Sequence, residues 1–588
     1  MRATRELPLA APLVLVAAAL FFGGGPGNGS LPWLGGGAAA AIVVLLATRG
    51  VPGGLVSVLP LAALTAWVAL SIWWSDLPDR SWDYADRTFV YLLFALLGLW
   101  LAGRRRELAV GFAAVLGAVV VWSLAGKVLP FLYDDYGRIA RLRAPVGLWN
   151  QLALVADFAL PFALWLRGRG GTLLAYGWLV ALVLTYSRGG LITGVLVLTA
   201  WFVLDDERYE SARTLVAAAL PAAVVVGIAL ALPGVTGDDQ PTHTRWRDGL
   251  VFGGLLVVGA LVSLYLRQIR LPRVPARVPA ALVVVALALL AVVFVVKGGG
   301  SNLVGNGGGH ITSTSSNFRF TWWKQALHGW EHAKLAGTGA GTFHVTNLRY
   351  RSTYLDETTE PHDVPLQFLT ETGVVGLLLL AAAMVALLRA AGRPRGHDLA
   401  LALGLPAYLL HSLVDIDWDF VAVSAPAFLA AGAVAGRPVE RRASAFAVLA
   451  AAGAALFAFT VLLLPWLGER WAGEAEVSAP AHAATLADRA RAVDPLLVDP
   501  LWALAFAAEV RGDLRQALGY YDEATRKQPA NPQTWLAAGE FALRHGCPRK
   551  AYAYLLQYVE RDNKARASEG ADDYRRALRL VDTGKPTC

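Results

Sequence analysis

The stretch SAFAVLAAAGAALFAFTVLLLPWL, residues 444–467, runs for 24 residues without a charge. A helix needs about 20 such residues to cross the hydrocarbon core of a bilayer. Arg441 and Arg442 precede it and Glu469 and Arg470 follow, so both ends have polar residues to meet water. Working back toward the N-terminus, the same reading recurs near 7–22, 32–48, 54–74, 88–102, 108–126, 148–166, 172–186, 190–204, 214–232, 249–266, 279–296, 366–388, 399–413 and 420–436. The expected fold is all-α, a polytopic bundle of roughly 12–15 spans. Composition agrees. The 588 residues are 56% hydrophobic and 16% charged, against about 25% charged in soluble chains. That excludes a chain soluble along its whole length, and it excludes disorder.

The net charge of +8 orients the spans before it says anything about a partner, and no nucleic acid is expected. With the N-terminus in the cytoplasm, the inner loops hold 20 Arg, including Arg49, Arg104–Arg106, Arg167, Arg213, Arg267, Arg395 and Arg437–Arg442. The short outer loops hold nine basic residues: Arg80, Arg87, Lys127, Arg138, Arg141, Arg143, Arg188, Arg245 and Arg247. This asymmetry places residues 1–467 as a membrane domain of the plasma or inner membrane. The loop 297–365 and the tail 468–588 fall outside the cytoplasm. The loop opens Gly-rich (Gly298–Gly300, Gly307–Gly309), which reads as a linker. Asn317–Pro361 has aromatics at helical spacing and should be ordered.

The tail repeats itself. Pro495 recurs as Pro529, Gly512 as Gly546, Ala517 as Ala551 and Tyr521 as Leu555, each 34 residues later. This period resembles the tetratricopeptide pattern of paired helices over 480–565. So short an array is expected to pack on the membrane domain or on a protein partner. The two cysteines, Cys547 and Cys588, form no metal-ligand spacing, and no metal site is expected. A disulfide between them is open on the outer side.

Three outer segments carry candidate chemistry. Ser187-Arg188-Gly189-Gly190 puts a guanidinium at a span end, against the charge bias. Arg holds phosphate through paired N–H donors, and adjacent glycines let a ligand approach the backbone. The plain alternative is an Arg reaching toward headgroups. Asn317-Phe-Arg319-Phe-Thr-Trp-Trp323, followed by Gly337-Thr-Gly-Ala-Gly-Thr-Phe343, suits a diphosphate and sugar; an amphipathic interfacial helix with a Trp belt is the alternative. In Glu360-Pro-His362-Asp363, Asp363 is placed to cap a helix entering the membrane, with Pro365 in its first turn. His362 at that helix end is a candidate base, with Glu360, Asp363 and Glu371 available to stabilise its imidazolium. Against it stands a His that merely bonds the loop.

Together, in this order, the segments resemble the O-antigen ligase/polymerase family, over about 140–436. The most specific feature is the spacing of His362 to Gly373 and Gly376. Asp363 departs from the Asn, Ser or Gln usual after that His in ligases. Arg141-Leu-Arg143-Ala-Pro-Val-Gly-Leu-Trp-Asn150 also looks like a family stretch. The resemblance implies a glycosyltransferase at the outer face that uses a polyprenyl-diphosphate glycan donor and needs no cofactor or metal. His362, Arg319 and Arg188 take the catalytic roles. Arg80, Arg87, Arg141, Arg143, Asn150, Trp323, Asp363 and Asp415 are the binding candidates. Asp415 or Asp417, in His411-Ser-Leu-Val-Asp-Ile-Asp-Trp-Asp419, is a candidate to orient His362 or bind a sugar hydroxyl; a solvated acidic loop is the alternative. The acceptor stays open: a glycolipid, a second lipid-linked glycan as for a polymerase, or a protein hydroxyl. A transporter or flippase would carry mid-span charges, of which Asp157 is one. A non-catalytic assembly scaffold would leave the His-to-Gly spacing unexplained.

Overall fold

The computed structural model describes residues 3–23, 25, 27–132, 140–269, 317–565 and 569–582. The expected span 279–296, the linker 297–316, Arg138 and Cys588 lie outside the described residues. The fold is all-α as expected, with 79% of the residues helical. Eight described helices are long and apolar enough to cross a membrane, and four shorter apolar helices accompany them. The chain forms two compact units, 1–59, 90–318 and 383–455 in the first, and 60–89, 319–382 and 456–588 in the second.

In chain order the helices begin with α1 (Ala3–Phe22), α2 (Leu31–Arg49), α3 (Leu59–Leu70), α4 (Pro78–Leu99), α5 (Arg105–Val128) and α6 (Trp149–Leu166). Then come α7 (Gly168–Leu184), α8 (Arg188–Leu204), α9 (Arg208–Ala229) and α10 (Thr242–Leu266). The first unit is built around α6, which is buried on every side from Gln151 to Leu164. A helix apolar all round belongs inside a bundle. It packs closely on α8. A Cβ on Gly190 would strike Ala153, and one on Gly194 would come 2.6 Å from Asp157 Oδ1. The mid-span carboxylate of Asp157 is fully buried at that contact.

Loops expected to be cytoplasmic come together in this unit. Strand β1 (Val51–Gly53), after Arg49, pairs antiparallel with β2 (Arg437–Arg441). Arg105 donates to the carbonyls of Ala433, Val434 and Gly436 at 2.8–2.9 Å. Arg167 pairs with Asp205 and Glu207, Arg395 with Asp206, and Arg267 and Arg213 with Glu210. The loops expected to lie outside likewise meet one another: Lys127 Nζ donates to Val235 O at 2.8 Å, and Ala140 N to Asp238 at 2.8 Å.

The second unit joins three segments. α11 (Arg319–His332), α12 (Phe343–Tyr350) and the start of α13 (Val364–Ala390) come from the long loop and the span after it. Residues 60–89 are laced to them: Asp76 N donates to Thr338 O at 2.9 Å, Ser81 Oγ to Ala340 O at 2.6 Å and Trp67 Nε1 to Thr372 O at 3.0 Å. Two expected spans differ from straight helices. α13 breaks at Gly373 (φ 68, ψ −171), and 399–413 divides into α14 (His397–Ala402) and α15 (Gly404–Ser412), where Gly404 and Pro406 favour a fresh start. α16 (Val421–Ala435) returns through the first unit, and α17 (Ala445–Glu476) leads from it to the tail.

The tail is a row of helices, each packed on the next: α18 (Pro480–Val493), α19 (Asp499–Val510), α20 (Leu514–Lys527), α21 (Pro532–Arg544), α22 (Pro548–Arg561) and α23 (Glu569–Asp582). Positions 34 apart are equivalent. Gly512 (φ 80) and Gly546 (φ 73) make the left-handed turns between helices, while Ala517, Ala551 and Leu555 are fully buried. The tail docks on the long loop, as an array this short requires. Arg351 Nε and Nη2 donate to both oxygens of Asp562 at 3.0 and 2.6 Å, with 5% and 2% of the side chains exposed. Asn563 N donates to Leu348 O at 3.0 Å, and Tyr354 OH to Lys564 O at 2.6 Å.

Candidate active site

The loop segment Arg351–His362 folds over α11. Asp356 organises it, its carboxylate accepting from Ser352 N, Ser352 Oγ and Thr353 N at 2.9–3.2 Å. Its carbonyl accepts from Trp322 Nε1 at 2.7 Å and from Asn347 Nδ2 at 2.9 Å. These bonds bring His362 onto Trp322. The two rings stack with centroids 4.8 Å apart and planes 19° apart. His362 is half-buried and has φ 55, a left-handed conformation that a non-glycine residue holds only when its surroundings enforce it. Arg319 stands one helical turn before Trp322 on α11, hence on the same face. The loop thus brings a candidate base and a candidate anion-holding cation to one face of one helix.

The flanking residues have definite tasks. Asp363 caps α13 as expected, accepting from Leu366 N at 2.8 Å, and burial pushes its carboxyl up to about 6. Glu360 is buried, with Tyr84 OH 3.5 Å from its Oε1. Gln367 Nε2 donates to that hydroxyl at 3.0 Å. Arg87 lies 4.9 Å from the Tyr84 ring centroid and is 1% exposed, so it belongs to this buried cluster rather than to an exposed basic funnel. Arg80 remains at the surface, 3.8 Å from Asp83. Trp323 packs edge-on against Phe320, and the stacking partner of His362 is its neighbour Trp322.

Both glycine-rich motifs lie in close contact with other parts of the chain. Glu371, 2% exposed, fills the 337–343 turn and accepts from Gly341 N at 2.8 Å and Phe343 N at 3.1 Å. Its carboxylate thereby ties the turn to the start of α13. At Ser187–Gly190, Gly190 is closed by Ala153, and a Cβ on Gly189 would meet Val414 at 3.1 Å. The signature glycines are structural too. A Cβ on Gly373 would strike the Leu335 carbonyl and one on Gly376 the Thr372 side chain. Val374 N donates to Lys334 O at 3.0 Å across that close approach.

The remaining candidates belong to the first unit. Arg141 is buried; it donates through Nε to Thr185 O at 2.9 Å and lies 4.1 Å from the Trp149 ring centroid. Asn150 links it to Asp415, with its amide oxygen 3.4 Å from Arg141 Nη2 and its Nδ2 donating to Asp415 Oδ2. Arg143 sits half-buried in the same turn, its carbonyl accepting from Gly147 N at 3.0 Å. Arg188 opens α8, where Ser187 Oγ accepts from Gly190 N at 3.1 Å. Asp417 is bonded to His411 at 2.9 Å. Sequence reasoning singled out Trp323 rather than Trp322, and took Asp417 as a partner for His362 or a sugar hydroxyl, where the structure bonds it to His411. A Trp three residues after Arg319, and a His and Asp six apart across a turn, were the available signals.

Residues 242–381 match the family model described as O-Antigen ligase. The match covers Arg319, His362, Gly373 and Gly376 and leaves out Arg188 and the tail. No curated protein matches the chain. The chain is a multi-pass membrane protein by the length and composition of its helices, and its segment 242–381 is similar to O-antigen ligase.

Proposed function

We propose that the protein transfers a glycan from a polyprenyl-diphosphate donor to a hydroxyl acceptor at the outer face of the plasma or inner membrane. The observation that carries this reading is His362 stacked on Trp322, one turn from Arg319, inside the segment that matches O-antigen ligase. His362 takes the proton from the acceptor hydroxyl. The acceptor oxygen then forms its bond to the anomeric carbon as the bond from that carbon to the diphosphate oxygen breaks, with inversion. The polyprenyl diphosphate leaves with the electron pair, and Arg319 stabilises its growing charge. Trp322 holds the ring face of His362. Arg188 is assigned to the diphosphate by the sequence pattern.

The proposal requires no metal or cofactor. Orientation is supported by the loops that meet one another in the first unit, since those rich in Arg gather separately from the outer ones. The tail is proposed as a tetratricopeptide-like array that presents the acceptor or docks an assembly partner. The test uses membranes with a labelled lipid-linked donor. His362→Ala and Arg319→Ala should each lower transfer at least about a hundredfold. Unchanged transfer in both sinks the assignment. Which lipid-linked precursor accumulates when the gene is deleted separates a ligase from a polymerase or a protein glycosyltransferase.

A further inference from the structure

A polar cluster of the first unit has no task in this scheme. His411, at the end of α15, is fully buried, and its Nδ1 lies 2.9 Å from both carboxylate oxygens of the fully buried Asp417. The same carboxylate accepts from Ser412 Oγ at 3.1 Å and from Gln151 Nε2 of α6 at 3.1 Å. Ser424 Oγ of α16 donates to the Asp417 carbonyl at 2.9 Å. Bonds from α15 and α6 fix the carboxylate, a bond from α16 fixes its backbone, and the carboxylate fixes the ring. The other ring nitrogen, Nε2, is buried and has no hydrogen-bond partner among the described residues. It faces the first turn of α8, where a Cβ on Gly189 would lie 3.7 Å from it.

A polar atom kept buried and unsatisfied is costly, and structures retain one where it has a task. A carboxylate on one nitrogen of a His sets how the other is presented. Here the other nitrogen faces the residue next to Arg188. The first turn of α8 joins a positive helix end to a guanidinium, the chemistry that holds phosphate.

We propose that His411, held by Asp417, is a positioning residue that sets the first turn of α8, so that Arg188 and that turn present an anion site for a lipid-linked diphosphate. His411 is enclosed and acts through Gly189 and Arg188 rather than by touching the anion. The identity of the anion rests on the glycan-transfer reading; the geometry of the dyad does not.

The test titrates the purified full-length protein in detergent with a polyprenyl diphosphate that carries no glycan. Arg188→Ala should weaken binding by more than about tenfold, and His411→Gln and Asp417→Asn by about tenfold each. The double variant Arg188→Ala/His411→Gln should bind no worse than Arg188→Ala alone, because both changes remove one interaction. A merely structural loss would lower the melting temperature and multiply with Arg188→Ala. If either dyad variant fails to fold, Ser412→Ala, which removes one bond to Asp417, should weaken binding several-fold with the melting temperature kept. Wild-type affinity in the dyad variants or in Ser412→Ala, or losses that multiply, would overturn the inference while the glycan-transfer reading stands. If the wild-type protein does not bind the probe, that reading fails and the inference fails with it.

Discussion

At the residue scale, the site turns on a choice between adjacent tryptophans. Trp322 and Trp323 are indistinguishable by composition, yet only Trp322 stacks on His362. Trp322→Ala should reduce glycan transfer by at least about tenfold. Trp322→Phe keeps a ring face while losing the bond to Asp356 O, so it should retain most activity; Trp323→Ala should stay near wild type. Equal losses at both positions in a transfer assay would remove Trp322 from the site. Gly373 is the second such residue. Its φ of 68 and the Leu335 carbonyl beside it leave no room for a Cβ. Gly373→Ala should lower stability by about 2 kcal/mol or more, read as a drop in melting temperature in detergent. A wild-type melting temperature there would mean that the break in α13 relaxes freely.

At the element scale, the tail is fastened to the long loop by a bidentate, buried ion pair. Removing one partner leaves the other charge buried and alone, a cost of about 3–5 kcal/mol. Arg351→Ala should therefore release the tail, seen as faster proteolysis between α17 and α18 and around Tyr354. The double variant Arg351→Ala/Asp562→Ala should recover part of the loss, since the charge it leaves unpaired, Glu357, is exposed rather than buried. Proteolysis unchanged in the single variant would show that the apolar contact of Leu77, Val345 and Ala530 suffices.

At the scale of the molecule, acid should tighten the second unit. Burial pushes Asp79 up to about 7, and Asp494 and Asp499 up to about 6, with Asp83 and Glu476 adding repulsion and Arg80 and Lys527 opposing it. A carboxyl raised in the folded state binds its proton more tightly there. Its stabilisation is complete below the unfolded value and is lost as pH rises through about 6 to 7. His344, lowered by burial, works the other way and favours higher pH. With Asp363, also raised to about 6, these carboxyls outweigh the imidazole, and Glu509, which is lowered, is already ionised at both pH values, so the melting temperature should be higher at pH 5.5 than at pH 8. Asp79→Asn with Asp494→Asn should flatten that dependence. A melting temperature that rises toward pH 8 would contradict the buried-acid account.

The sequence by itself determined the all-α membrane class, because long charge-free runs have only one stable form in a bilayer. It also marked the loops expected inside and outside, the tail's helical period, and His362 with its two glycines. Those signals are local or periodic. Only the tertiary structure decided which Trp carries His362, that Glu371 fills the glycine-rich turn, that the glycines beside Arg188 lie against Ala153, Val414 and His411, and that Asp417 holds His411. Glu371 meets Gly341 from 30 residues away, and Gln151 meets Asp417 from 266. A glycine's missing Cβ makes room, but what occupies the room comes from elsewhere in the chain, and no local pattern encodes it.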